Sequence, residues 1–354
     1  VETGGREVRV FPEINIDVAR RICKDRGDRE LQGKYSELID KYAEAAKSKW
    51  SIVEFAAQVV DSPKVLNFFL GEYGLIDNAC SVKNTVVISN KEERTRITDG
   101  AIVKDCTMQW GAQISTGALT EGSIFTEHSG ADRHGKVFDS LIGANTNIAE
   151  GEVTSSLVGS FVGFHHQALL ISAFWPGGKG NIAYGSNIGS NHTGKEPDQE
   201  LWPGEGMFFG LDCAIKYPAD FTNSPYSIIS SGTITLPQKV SFPFSLINSP
   251  SINFDDISPA FNEIFPAWIL SDNFFMIKRN EEKYRQRNRA KRIHLKFSIF
   301  RPSIVDKMVD AEGRLKVASM KDVYTESDIE GLGKNYLLES NRIKAINTYD
   351  YYIR

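Results

Sequence analysis

From about Leu75 to Asn248, aliphatic residues recur at steps of six in a background of Gly, Ser, Asn and Thr. Ile102, Met108 and Ile114 show the step. Ile142 and Ile148 repeat it, as do Val162, Ala168 and Phe174, then Ile182 and Ile188. A small residue often follows four places later, at Cys106, Ala112, Ala118, Thr146, Ser172 and Ser186. A period of six suits neither a 3.6-residue helix nor one alternating strand. It suits a solenoid, in which each six-residue step lays down one short flat face. The aliphatic side chain points inward and the small residue sits where the chain turns. The spacing predicts that Ile102, Met108, Ile114, Ile142, Ile148, Ile182 and Ile188 share one core. The phase slips near Ile124 and again between Ile148 and Val162, and longer excursions leave it at 127–136 and about 176–207.

The flanks read differently. Residues 1–11 suggest a strand entering the solenoid, with Val8, Val10 and Phe11 after the turn-forming Gly4-Gly5. Residues 12–70 read as a helical insertion. Leu31, Tyr35, Leu38, Ile39 and Tyr42 fall on one helical face. Ser51 and Glu54 have capping-box spacing, Trp50 and Phe55 stand as a staple, and Ile52, Phe55, Ala56 and Val59 would line a second helix ending near Asp61-Ser62-Pro63. Residues 71–250 are then the solenoid. Residues 251–354 read as a helical C-terminal region, with Ile304, Met308, Ala311 and Leu315 on one face of a helix begun at Ser303 and capped with Asp306. The tail from Asn335, rich in tyrosine, is expected to dock.

With 354 residues a large core is affordable, and a net charge of −4 implies no bulk attraction to nucleic acid or membrane. No apolar run is long enough to span a bilayer. Cys23, Cys80, Cys106 and Cys213 lie far apart and form no CxxC pair, which reads as reduced thiols in a cytoplasmic protein. From Lys278 to Lys296 there are nine Lys or Arg against two Glu. A solvated helix face is the plain reading, and a phosphate-binding strip the sharper one. A chain that opens on Val1 rather than methionine is expected to be a fragment or a processed product.

Candidate chemistry falls in two places. His165 and His166 are adjacent in Val162-Gly163-Phe164-His165-His166-Gln167, and adjacent residues on an extended face point to opposite sides. One imidazole can therefore face outward and take a proton from a hydroxyl or amine as a catalytic base. A surface histidine without a role is the alternative. The second place is the excursion from Trp175 to Met207, where Trp175, Lys179, Asn191, His192, Lys195 and Trp202 offer stacking faces, amides and cations suited to a sugar or nucleotide. A loop held by its own hydrogen bonds is the alternative. Gly177-Gly178-Lys179-Gly180 lacks P-loop spacing, and no HExxH or Cys/His set supports a metal centre around His165, His166, His192, Asp198 and Glu200.

The hexapeptide pattern resembles the left-handed parallel β-helix family. Gly163-Phe164-His165-His166-Gln167, Gly189-Ser190-Asn191-His192-Thr193-Gly194, Trp202-Pro203-Gly204-Glu205-Gly206, Lys216-Tyr217-Pro218-Ala219-Asp220-Phe221 and Gly331-Leu332-Gly333-Lys334-Asn335-Tyr336 resemble a bacterial hexapeptide-repeat family labelled UDP-N-acetylglucosamine pyrophosphorylase-related. The resemblance implies a left-handed coil of about eighteen residues, a homotrimer, and an acyltransferase-like protein acting on or binding a sugar or sugar nucleotide. In that setting His165 or His166 would be the base, Asn191 and His192 would orient the acceptor, Lys179 or Lys195 would meet donor phosphates, and acyl-CoA would be the co-substrate rather than a bound cofactor. The rivals are a non-catalytic binding or scaffold β-helix, and a pyrophosphorylase-related protein whose catalytic domain lies elsewhere. The chain shows no Gly-rich nucleotide loop of its own.

Overall fold

The computed structural model describes residues 7–164, 166–189 and 200–354. The chain forms a parallel β-solenoid with helices towards both ends, folded as two compact units. These are Val1–Phe164 with Arg289–His294, and His165–Asn288 with Leu295–Arg354.

In the first unit each coil carries three short parallel strands, and its inward residues stack into three columns. One runs Val53, Leu70, Val87, Met108, Phe125, Ile142, Val158. The second runs Val59, Ile76, Ile97, Ile114, Ala131, Ile148, Phe164. The third runs Val65, Val82, Val103, Thr120, Val137, Val153. Beyond the first member of each column, all of these side chains are fully buried. The inward steps around a coil are six, six and then five, as in Met108, Ile114, Thr120 and Phe125. Most coils therefore advance by sixteen or seventeen residues rather than eighteen, and the phase slips once per turn.

That slip corrects one expected core residue. Ile102 pairs with Ser81 and Leu119 on the outer face and is exposed, while its neighbour Val103 fills the column. Met108, Ile114, Ile142, Ile148, Ile182 and Ile188 are fully buried as expected.

Corners fall where residues adopt left-handed backbone. Asn67, Asn84 and Asp105 form one such corner, each with positive φ. Their side chains ladder from coil to coil, Asn67 Nδ2 to Asn84 Oδ1 at 2.7 Å and Asn84 Nδ2 to Asp105 Oδ1 at 2.8 Å. Asn and Asp tolerate this conformation better than other side chains.

The N-terminal reading needs two corrections. Residues 7–11 form no strand. Val8 and Phe11 instead pack on Ile22, Tyr35 and Ile39 of two helices, α1 (Ile16–Lys24) and α2 (Arg29–Ala46). The helical stretch stops there. In place of a second helix, Ile52–Val53 and Gln58–Val60 are the first strands of the solenoid. The residues read as a capping box serve the next coil. Ser51 Oγ accepts from the Phe68 amide at 3.2 Å, and the Glu54 carboxylate accepts from the Glu72 amide at 3.2 Å. Phe55 packs edge-on to Tyr73, and β-branched Ile52, Val53, Val59 and Val60 favour strand.

In the second unit the column Ile182, Phe209, Ile229, Ile247 continues the same logic, fully buried throughout. Its last rung, Leu246–Asn248, is covered by the antiparallel strand Asn262–Phe265. Residues 176–207 are not one loop, because Asn181–Ile182, Asn187–Ile188 and Leu201–Trp202 are strands within them. The C-terminal region is helical in α3 (Trp268–Asp272), α4 (Phe274–Arg287), α5 (Pro302–Val317) and α6 (Glu339–Ile353), with strands at Asn262–Phe265, Val323–Tyr324 and Asn335–Leu338 among them. Helix α5 begins at Pro302 with Arg301 at the cap and no capping side chain, one residue before the expected start. Its face of Ile304, Met308, Ala311 and Leu315 is buried. The tyrosine-rich tail docks through fully buried Tyr349, whose hydroxyl donates to the Pro243 carbonyl at 2.6 Å. No helix among the described residues is long and apolar enough to cross a membrane.

Candidate functional site

The second unit holds a small surface pocket. One wall comes from the coils, with Asn181, Phe208 and Tyr226. The other comes from α4 and the strand-free segment after it, with Asn280, Tyr284 and Phe297. Lys179 lies at the base, in the turn that precedes Asn181.

Beneath this surface one carboxylate organises the charges. Glu205 Oε1 accepts from Lys179 Nζ at 2.9 Å, from Arg301 Nη1 at 2.9 Å and from the Tyr226 hydroxyl at 2.8 Å. Arg301 Nη2 also donates to Glu205 Oε2, so the guanidinium grips the carboxylate with both prongs. Lys179 Nζ donates to the Lys296 carbonyl as well, and the Tyr284 hydroxyl donates to the Lys179 carbonyl at 3.2 Å. Local sequence makes this approach possible. Gly206 has φ +70, and a Cβ there would lie 2.3 Å from the Tyr226 ring, so only glycine lets that ring slide in beside Glu205.

The electrostatics follow from burial and pairing. Burial pushes Glu205 up, but Lys179 and Arg301 together hold it below the usual carboxylate range. Burial pulls Lys179 down, against the pull of Glu205. Burial and Glu205 keep Tyr226 protonated, and burial pushes Tyr284 up to about 12. At neutral pH the cluster is two cations on one carboxylate. Glu205 is ionised and engaged by Lys179, Arg301 and Tyr226, so it is no free base, and Glu281 brings a second carboxylate to the pocket lining.

The residues expected from sequence divide as follows. Lys179 belongs to this pocket. Trp175 lies behind it, fully buried, its indole N–H donating to the Gly204 carbonyl at 2.9 Å, so the ring presents no face to a ligand. Trp202 packs on Phe174 at 4.5 Å between ring centres, and its N–H donates to Glu200 at 3.1 Å. His166 is exposed at a corner with φ +52 and is not among the lining residues. His165, Asn191, His192 and Lys195 lie outside the described residues. Glu205 lies within the polar excursion that the sequence marks, whereas Arg301, Tyr226 and Tyr284 carry no local signal. Arg301 is 96 residues from its carboxylate, beyond any spacing rule.

The first unit has its own buried cluster. Glu93, nearly inaccessible, accepts from Arg292 Nη2 at 2.9 Å and lies 3.0 Å from His128 Nε2. Glu127 accepts from Arg292 Nη1 at 2.7 Å and from the Lys291 and Arg292 amides at 3.1 and 3.0 Å. The Arg292 guanidinium lies 3.8 Å over the Trp110 ring. Part of the basic stretch is thus consumed inside the fold. Elsewhere in it, Lys278 and Arg285 pair with Glu281 along α4 at 3.2 and 3.1 Å, as a solvated helix face does.

Burial works to raise Glu93, but Arg292 and His128 hold it at about 2, and burial lowers His128. Both folded-state values lie below the ordinary ones. Each group therefore contributes stability that is complete above its unfolded value and is lost as pH falls through the folded one. For Glu93 that window runs from the ordinary carboxylate range down to about 2. Arg292→Ala should move the acid transition of this cluster to higher pH. Fluorescence of Trp110, stripped of its cation, is the readout, and an unmoved transition would sink the assignment.

A family model described as "Domain of unknown function (DUF4954)" matches residues 1–319. An "Uncharacterized protein" of Treponema pallidum (strain Nichols) is 24% identical over 315 residues, covering 88% of this chain and 42% of its own length. The chain thus spans about two fifths of the curated relative it matches. Neither description names a hexapeptide repeat or a sugar nucleotide.

Proposed function

We propose, on the premise that the chain belongs to the DUF4954 family, that it is a β-solenoid of the acyltransferase-like, left-handed hexapeptide kind that binds a sugar or sugar nucleotide in the pocket of its second unit. The observation that carries this reading is the pocket's composition. Phe208, Tyr284 and Phe297 stand beside the amides of Asn181 and Asn280, with Lys179, held by Glu205, and the Glu281 carboxylate among the lining residues. Aromatic side chains suit a sugar ring and amides suit its hydroxyls.

Acyl transfer would need a base, and the Glu205 carboxylate is engaged. In acyl transfer the acceptor hydroxyl would lose its proton to a base, attack the acyl-CoA thioester and release CoA as the thiol; His166, which does not line the pocket, could serve as that base only at a group of the acceptor that extends beyond it. The reading includes a homotrimer built along the solenoid flanks.

A thermal-shift series tests it. UDP-sugars at 100 times their dissociation constant would stabilise the fold by about 2.7 kcal/mol. Stabilisation by UDP-sugars that Lys179→Met and Tyr284→Phe weaken supports the pocket. Added stabilisation by acyl-CoA, with turnover lost in His166→Ala, supports transfer. No shift with either class leaves the scaffold reading and removes this one.

A further inference from the structure

The first coil is where three filled columns stop. Val53, Val59 and Val65 hold the inward positions that Leu70, Ile76 and Val82 hold one coil later. Every later member is fully buried, yet Val53 is 49% and Val59 40% exposed. The backbone is open on the same side. The Glu54 amide donates to Leu70, the Gln58 amide donates to Gly74, and the Val60 carbonyl accepts from Asn78. In a parallel ladder, alternate residues turn both backbone groups to the same neighbour. The N–H and C=O of Val53 and Val59 therefore point away from the solenoid. Ile52–Val53 pairs with Val65–Leu70, and Gln58–Val60 pairs with Leu75–Asp77. Among the described residues no strand pairs with either on its other edge. Trp50 and Phe55 project beside them, 81% and 71% exposed. An apolar face with an unpaired edge is a template for another strand.

We infer that this end face binds the same face of a second copy of the chain, head to head. A two-fold axis across the face turns the two sets of strands antiparallel, so the free groups of Val53 and Val59 can complete an antiparallel ladder. The rim charges allow self-apposition, because Lys49 and Lys64 are exposed there beside Glu54 and Asp61. A rim of one sign would repel its own image. Trp50 and Phe55 supply aromatic anchors of the kind that dominate such contacts. Stacking onto the last rung of the second unit is blocked in one column, because Asn262–Phe265 already covers Leu246–Asn248.

Light scattering on the 354-residue chain tests this, with Val53→Arg/Val59→Arg as the variant. The wild type should contain two copies, or six where the flank trimer also forms, and the variant should have half that mass. Circular dichroism checks that the variant folds. Should it not, amide exchange at Val53 and Val59 in the wild type decides, with protection expected at high concentration and lost on dilution. One or three copies in the wild type, or concentration-independent exchange, overturns the inference. A longer polypeptide that stays monomeric while protecting those two amides would assign the face to a coil of its own chain and equally overturn it.

Discussion

Glu205→Ala should destabilise the second unit by about 3–5 kcal/mol, the usual consequence of removing one partner from a buried charge set. Lys179 and the Arg301 guanidinium are both largely enclosed, and Glu205 is the carboxylate that holds them. Without it, two cations remain side by side with their charge uncompensated, and the Tyr226 hydroxyl loses its acceptor. Glu205→Gln keeps the shape and one acceptor oxygen, so it should recover part of the loss and separate charge from packing. The pH dependence has a definite sign. Glu205 sits below its usual range in the fold, so its contribution is complete above that range and fades as acid carries pH through the folded value. Denaturant titrations at pH 7 and under acid conditions measure this. A loss below about 1 kcal/mol at pH 7, the level of an exposed pair, would mean that the cluster is solvated.

The same cluster shows where sequence reading stops. Lys179 stood out because it sits among glycines, and Glu205 lies within the polar excursion, but nothing local ties the two. Their pairing depends on one long coil bringing residues 26 apart into register, and Arg301 arrives from beyond the solenoid. The Glu93, Glu127 and Arg292 set is similar, with partners 199 and 165 residues apart. A basic run that looks solvated in sequence can therefore hold one arginine that is structural. At the N-terminal end the misreading has another cause. Ser51 and Glu54 satisfy backbone amides in both a helix cap and a solenoid coil, and only the amides differ. The decisive signal there was Val53, Val59 and Val65, six apart and in line with every later coil.

The solenoid itself was legible because burying a column of aliphatics requires the same side-chain type at the same point of every turn. Its frame was not fully legible, since a coil of six, six and five returns to phase only after the short step. Met108 and Ile102 test that frame directly. Both fit a strict period of six, but Met108 is fully buried and Ile102 is 40% exposed. Met108→Ala removes most of a side chain between Val87 and Phe125 and should cost about 2–5 kcal/mol, because neighbouring coils cannot close the gap without breaking their ladders. Ile102→Ala removes a side chain from the outer face and should cost under about 1 kcal/mol, mostly lost strand preference. Val103→Ala, one residue along, empties a column position and should fall clearly above Ile102→Ala. Urea unfolding of the three variants gives the order. Equal losses at Ile102 and Met108 would mean that both side chains share one environment, and the six-six-five frame, with the open column ends at Val53 and Val59 that it defines, would have to be abandoned.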